Sequence, residues 1–271
     1  MEWKNIYRGL LMGASDVIPG VSGGTIALLL GIYDRLIAAI NGFLSKDWKK
    51  HLGFLIPLGL GVGIAVVSLS QVIKWLLDHY PVPLHFFFLG LILGVLPYLF
   101  KQADARHTFK RQHIILLVMG AALIGSIAFF NTSEGPVIET MTLRTYGFLF
   151  LSGFIGSVAM ILPGISGSLI LLVIGSYSTI MAALSHFHFD VLFVFGIGVV
   201  AGIVIMSRII RYFLEHYRTA TFASVIGFVI GSLAVVFPGW ATSLPLMIIS
   251  ILAFAVGLLA AVTLGRIEYN Q

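Results

Sequence analysis

Long apolar stretches, four in each half of the chain, leave this protein little choice of solvent. They run from about Ile6 to Ile40, Leu52 to Leu77, Leu84 to Phe100 and Ile114 to Phe130. The second set runs from Tyr146 to Leu184, Val191 to Leu214, Phe222 to Phe237 and Leu246 to Leu264. A helix needs roughly 20 apolar residues to cross about 30 Å of hydrocarbon, and several of these runs approach that length. Backbone polar groups must be satisfied internally in lipid, so the runs predict spanning helices rather than the short alternating strands of a barrel. Of the 271 residues, 59% are hydrophobic and only 10% are charged, which sets the chain apart from soluble domains with about 25% charged residues. The net charge of +5 comes from Lys and Arg in short loops, where membrane orientation explains it. No basic, aromatic-interleaved surface domain is present, which argues against a nucleic-acid partner. The absence of Cys excludes disulfides, iron–sulfur clusters and thiol nucleophiles. The opening "MEWKNIYRGLLMG" reads as retained protein rather than a signal peptide, because a Pro and Gly cluster follows it where a longer apolar region would be required.

The first run of each half carries an interruption, and the two interruptions are copies. "DVIPGVSGGTIALLLGIYDRLIAAI" (Asp16 to Ile40) and "MILPGISGSLILLVIGSYSTIMAAL" (Met160 to Leu184) agree at ten of 25 positions, including Pro19/Pro163, Gly20/Gly164, Ser22/Ser166, Gly23/Gly167 and Tyr33/Tyr177. The likeness continues through "KWLLDHY" (Lys74 to Tyr80) and "RYFLEHY" (Arg211 to Tyr217), then through Gly90/Gly227 and Gly94/Gly231. Two structural repeats therefore fill one membrane domain, at 1–130 and 146–271, joined by a connection at 131–145 that carries Glu134 and Glu139.

Loop charges decide how the repeats lie. If each opening segment is a re-entrant hairpin followed by three crossings, thirteen Lys and Arg collect on one side and only Lys74 and Arg144 on the other, with Arg35 unassigned. If the opening segment crosses once, the best split is about eight against seven, with no sidedness. The positive-inside rule thus favours an all-α polytopic protein built as two inverted repeats, each a re-entrant helical hairpin plus about three transmembrane helices, with both termini cytoplasmic.

The PGxSG cluster cannot continue a helix, because Pro removes a donor and Gly admits the angles that reverse a chain. Pro19, Gly20, Pro163 and Gly164 are the expected hairpin turns. Helix resumes with Ser22 and Ser166 as N-caps, placing Gly23, Gly24, Thr25, Gly167 and Ser168 in the first turns, where free N–H groups and the helix dipole favour an anion. Inversion would bring the tips together near the midplane to share one anionic group; the bland alternative is close packing of small-residue turns. Asp16 has Met160 as its counterpart. An acid at membrane depth is a functional candidate, here for coupling to a proton or a cation such as sodium; its structural alternative is a carboxylate bonded to hairpin N–H groups. Arg208 is a candidate phosphate ligand, with snorkelling to the surface as the alternative. Two His, His186 and His188, make a poor metal site, and no metal or cofactor is expected. HExxH and Walker motifs are absent, so the chain is not expected to be an enzyme.

At "GASDVIPGVSGGTIALLLGIYDRL" and "ILPGISGSLILLVIGSY" the sequence resembles the bacterial undecaprenyl-phosphate translocase family, formerly a domain of unknown function, over nearly its whole length. The resemblance implies a protein of the bacterial cytoplasmic membrane that returns undecaprenyl phosphate from the outer to the inner leaflet after a glycan has been delivered to the envelope. It assigns the phosphate site to Asp16, Pro19, Gly20, Ser22, Gly23, Gly24 and Thr25 with Pro163, Gly164, Ser166, Gly167 and Ser168. Such a lipid suits helix tips for the head and a groove open to the bilayer for the tail, with alternating access for the head alone. The competing readings are an ion-coupled transporter of a small soluble anion, which needs an enclosed aqueous pocket, and a membrane enzyme or scaffold in envelope lipid metabolism. The sequence sets no oligomeric state.

Overall fold

The computed structural model describes residues 2–17, 20–43, 48–130 and 135–269, and among them the regular structure is all helical. Pro19, Lys46 and Glu134 lie outside the described residues. The helices of the first repeat are α1 (Asn5–Asp16), α2 (Gly23–Leu29), α3 (Tyr33–Phe43), α4 (Trp48–His79), α5 (Pro81–Gln102), the short α6 (Ala105–Thr108) and α7 (Arg111–Ser126). Those of the second are α8 (Leu143–Ile161), α9 (Gly167–Ile174), α10 (Tyr177–Ser185), α11 (Phe189–His216), α12 (Arg218–Val236) and α13 (Leu244–Tyr269).

Each long opening run is broken twice. The first break is at the PGxSG cluster, where Gly20 and Gly164 take φ of +90° and +83°, left-handed values that L side chains avoid. The second follows α2 and α9, where the chain bends by 119° into α3 and by 109° into α10. α9 folds back along α8, so that a methyl on Gly156 would lie 3.1 Å from Leu171. Among the described residues seven helices are long and apolar enough to cross a membrane, α4, α5, α7 with its following turn, α8, α11, α12 and α13. Six crossings are expected from the loop charges; the seventh candidate is α8, with 19 residues against 12 in its counterpart α1. Length alone does not separate α8 from a span, yet it ends at the second PGxSG turn.

Four close helix pairs organise the rest: α1 with α4, α8 with α11, α5 with α13 and α7 with α12. The first two lie within a repeat and the last two join one repeat to the other, so the halves interlock. Small residues set the approach. A methyl on Gly61 would sit 2.1 Å from the Ile6 carbonyl oxygen, and one on Gly198 would sit 2.1 Å from that of Phe150, at corresponding places in the two repeats. Without a hydrophobic gradient between helices in lipid, such backbone contact is what holds a pair together. The start of α5 meets the end of α12, with the Phe86 and Phe237 rings 6.2 Å apart.

Candidate functional site

The two hairpin tips touch. Gly164 donates its N–H to Thr25 Oγ1 at 2.9 Å, and Ser22 Oγ reaches the Leu162 carbonyl at 3.5 Å. Tyr33 donates its hydroxyl to the Ile161 carbonyl at 3.1 Å. These last two acceptors are carbonyls at the end of α8, groups that a helix leaves unpaired, so the first hairpin's hydroxyls close the C-terminus of the second hairpin's entry helix. Ser22, Thr25 and Ser166 are all buried.

The tips differ in how their amides are used. At the first, Gly23 donates its N–H to Asp16 Oδ1 at 2.7 Å and Gly24 donates to Ser22 Oγ at 3.2 Å. Thr25 donates to the Ser22 carbonyl at 3.0 Å. Asp16 therefore holds its carboxyl group on the start of α2, the contact that the sequence set beside ion coupling. At the second tip Met160 stands in its place, Ser166 does not cap α9, and Ser166 Oγ shares a hydrogen bond of 2.9 Å with Ser168 Oγ. Gly167 and Ser168 are half-buried, at the positive end of an uncapped helix.

Beside the second tip lies an apolar cavity of about 410 Å³, which Leu162 joins to Tyr33, Leu116 of α7, Ile209 and Phe213 of α11 and Tyr217 just after it. The last three are exposed on the outer surface, so the cavity opens between helices rather than being sealed within the protein.

Residues 12–251 match the family model described as undecaprenyl phosphate translocase-like. The chain belongs to the undecaprenyl phosphate translocase-like family. It is 44% identical over 274 residues to a polyprenyl-phosphate transporter of Staphylococcus aureus (strain NCTC 8325 / PS 47), covering 98% of this chain and 97% of that one. It is 38% identical over 253 residues to a polyprenyl-phosphate transporter of Vibrio cholerae serotype O1 (strain ATCC 39315 / El Tor Inaba N16961), covering 88% of this chain and 79% of that one. No solved structure matches the chain. As a member of this translocase-like family, it is a multi-pass protein of a bacterial membrane and a transporter rather than an enzyme.

Within the family fold the remaining candidates fall elsewhere. Arg208 is exposed on α11, which turns Met206, Ile209, Ile210 and Phe213 toward the apolar cavity and, by helical periodicity, Arg208 away from it. Arg35 pairs with Glu2, whereas Asp34 reaches Arg218 of α12 at 3.2 Å. His79 and His216, in the repeated "DHY" and "EHY", each bond the carbonyl four residues back, at 2.9 Å and 3.0 Å, and stack on Trp75 and Tyr212. The His186 and His188 rings lie 6.1 Å apart, and among the described residues no three His, Asp or Glu side chains converge as a metal site. Sequence reasoning missed Tyr33 as a tip residue, although its identity with Tyr177 in the repeat was a visible signal. It also missed Thr25 as the tie between tips, and there no signal existed, because Thr25 has Leu169 as its counterpart.

Proposed function

We propose that this chain moves a polyprenyl phosphate, undecaprenyl phosphate in the cell, from the outer to the inner leaflet of the bacterial cytoplasmic membrane, with both termini cytoplasmic. The observation that carries this reading is the contact between two helix-starting tips, one of them uncapped, next to an apolar cavity open between helices. A soluble anion has no use for such a cavity, whereas a prenyl tail fills it while the head stays at the tips. The start of α5 meets the end of its repeat counterpart α12, a contact in keeping with an inverted arrangement of the repeats and alternating access. Both relatives' names agree with this substrate.

In this reading the amides of Gly167 and Ser168, with the Ser166 and Ser168 hydroxyls, receive the phosphate first. Gly23 and Gly24 join when Asp16 leaves the α2 terminus, and Ser22 and Thr25 complete the shared cradle as the tips shift. Gly20, Pro163 and Gly164, with Pro19, shape the turns. Arg208 has no contact with the head. A carboxylate that yields its place to a second anion needs a proton or a cation such as sodium, which links substrate to co-ion through Asp16.

Leaflet accessibility of a labelled polyprenyl phosphate in liposomes tests the reading. Purified chain should carry the lipid phosphate across without changing it chemically; unchanged accessibility under every imposed ion gradient would reject transport, and a chemically altered lipid would point to an enzyme. Asp16→Asn should abolish any dependence of the rate on pH or cation, and a variant that keeps it would remove the coupling role.

A further inference from the structure

Three residues of the cavity beside the second tip, Tyr33, Thr221 and Val225, also line a separate space of about 10 Å³ with Leu28, Leu214 and Phe222. Leu214 in turn lines a charged mouth of about 390 Å³, with Asp34 and Ala38 of α3, Arg211 and Glu215 of α11 and Arg218 of α12. Arg35 beside Asp34 pairs with Glu2, which places this mouth at the chain-start face. Arg218 is about 15 Å along α12 from Phe228, the residue that Gly164 abuts, so the mouth is distinct from the tips.

Two guanidinium groups from different helices face this space, each held by a carboxylate. Arg218 Nη2 lies 3.2 Å from Asp34 Oδ2, and Arg211 Nε lies 2.7 Å from Glu215 Oε1. Neither grip is strong. The Arg211 pair is an exposed contact along one helix, of the kind worth little in water. Asp34 is half-satisfied: its Oδ1 is buried and has no hydrogen-bond partner. The Arg218 guanidinium also lies 5.2 Å from the centre of the Phe222 ring. Planar guanidinium groups match phosphate oxygens better than they match a single carboxylate oxygen. The repeat counterparts are Lys74 for Arg211, Asp78 for Glu215, Pro81 for Arg218 and Ser178 for Asp34, so the opposite mouth lacks the second cation and the cross-helix pair. Position 178 nevertheless shares the buried, unpartnered condition, at Ser178 Oγ. α3 also bridges to α11 through Asn41, which donates to the Ser207 carbonyl at 2.8 Å.

We propose that Arg211 and Arg218 form a second binding station, for a phosphate monoester, at the chain-start mouth, which Asp34 and Glu215 fill when no phosphate is there. A headgroup leaving the tips displaces Asp34 from Arg218, and the α3 bridge to α12 opens as it does. The station exists at one face only, which gives the route a preferred end. It rests on the transport reading above.

Binding to the full chain in lipid nanodiscs tests it, with farnesyl monophosphate, farnesol and inorganic phosphate as probes. Asp34→Asn frees Arg218 and should tighten farnesyl monophosphate about tenfold, while Arg218→Gln should weaken it about tenfold, with farnesol unmoved by either. Asp34→Asn that leaves binding unchanged or weaker would show a merely structural pair and overturn the station, even if Arg218→Gln fails to fold. Inorganic phosphate that competes in the parent chain but not in Arg218→Gln supports the station and identifies the bare headgroup as what is recognised. Competition equal in both overturns it. Binding that responds to Ser168→Ala but to neither mouth variant sinks the station and leaves the transport reading standing. A parent chain that binds no farnesyl monophosphate sinks both.

Discussion

At the first tip Asp16 and Ser22 occupy the amides that open α2, whereas at the second Met160 faces Gly167 and α9 begins uncapped. The backbones are alike, with left-handed glycines at Gly20 and Gly164 and further ones at Gly31 and Gly175. The electrostatics are not. A pair of identical tips would offer a phosphate two equal dipoles with nothing to choose between them. In the proposed function, the carboxylate on one tip makes the first a site by exchange and leaves the second open, so the order of engagement would follow from this difference between repeats.

The surroundings of the two turn glycines differ as well, and this gives the largest expected effect. Among the described residues, a methyl on Gly20 would meet the Val236 and Val235 side chains, at 3.6 Å and 3.8 Å, whereas one on Gly164 would lie 2.6 Å from the Phe228 carbonyl carbon and oxygen. Gly20→Ala should therefore cost only the left-handed backbone penalty, about 1–2 kcal/mol. Gly164→Ala adds overpacking against immovable backbone and should destabilise by about 3 kcal/mol or more. Unfolding of the detergent-solubilised variants measures both. Equal losses would mean that the tips are seated alike and that the comparison fails at the level of packing.

The charge difference has a reciprocal test of intermediate size. The Met160 Cβ lies where a methyl on Gly167 would approach to 3.3 Å, so a carboxylate at 160 can reach the α9 amides as Asp16 reaches Gly23. Met160→Asp should fill the vacant tip with a tethered anion and lower polyprenyl phosphate affinity about tenfold, the effect of a partly buried charge at a helix N-terminus. Combining it with Asp16→Asn should recover much of that loss by moving the vacancy to the first tip. A double variant no better than Met160→Asp would mean that the tips are not interchangeable and that geometry, not charge, selects the second.

What the sequence made legible follows the periods and breaks that lipid enforces. Apolar length announced the spanning helices, and Pro and Gly announced the turns, because in hydrocarbon a broken backbone must be built for and leaves a visible motif. The repeat made the tips' meeting expectable. The exchange of partners between repeats, α5 with α13 and α12 with α7, was not legible, because glycine stripes show that a helix packs closely without saying on which neighbour. Nor was the length of α8 relative to α1, since Tyr146 to Leu184 and Ile6 to Ile40 read as similar runs. Asp34 and Arg35 are neighbours in the chain, yet in three dimensions Arg35 turns to Glu2 and Asp34 to Arg218, contacts that chain adjacency hides.

The finest distinction concerns the tie itself. Thr25 Oγ1 accepts the Gly164 N–H, and both groups are buried, so removing the acceptor leaves a donor without a partner in a region that water does not reach. Thr25→Val keeps the shape and should cost about 1–3 kcal/mol, whereas Thr25→Ser keeps the oxygen and should cost less than about 1 kcal/mol. Transport separates two roles that stability alone would merge. If the tie only holds the tips at rest, Thr25→Val weakens the fold and leaves lipid phosphate affinity unchanged. If Thr25 also joins the cradle once Gly164 moves away, affinity falls in Thr25→Val and recovers in Thr25→Ser. The second outcome is the one expected here, since an acceptor hydroxyl can turn donor when a phosphate oxygen replaces an N–H before it.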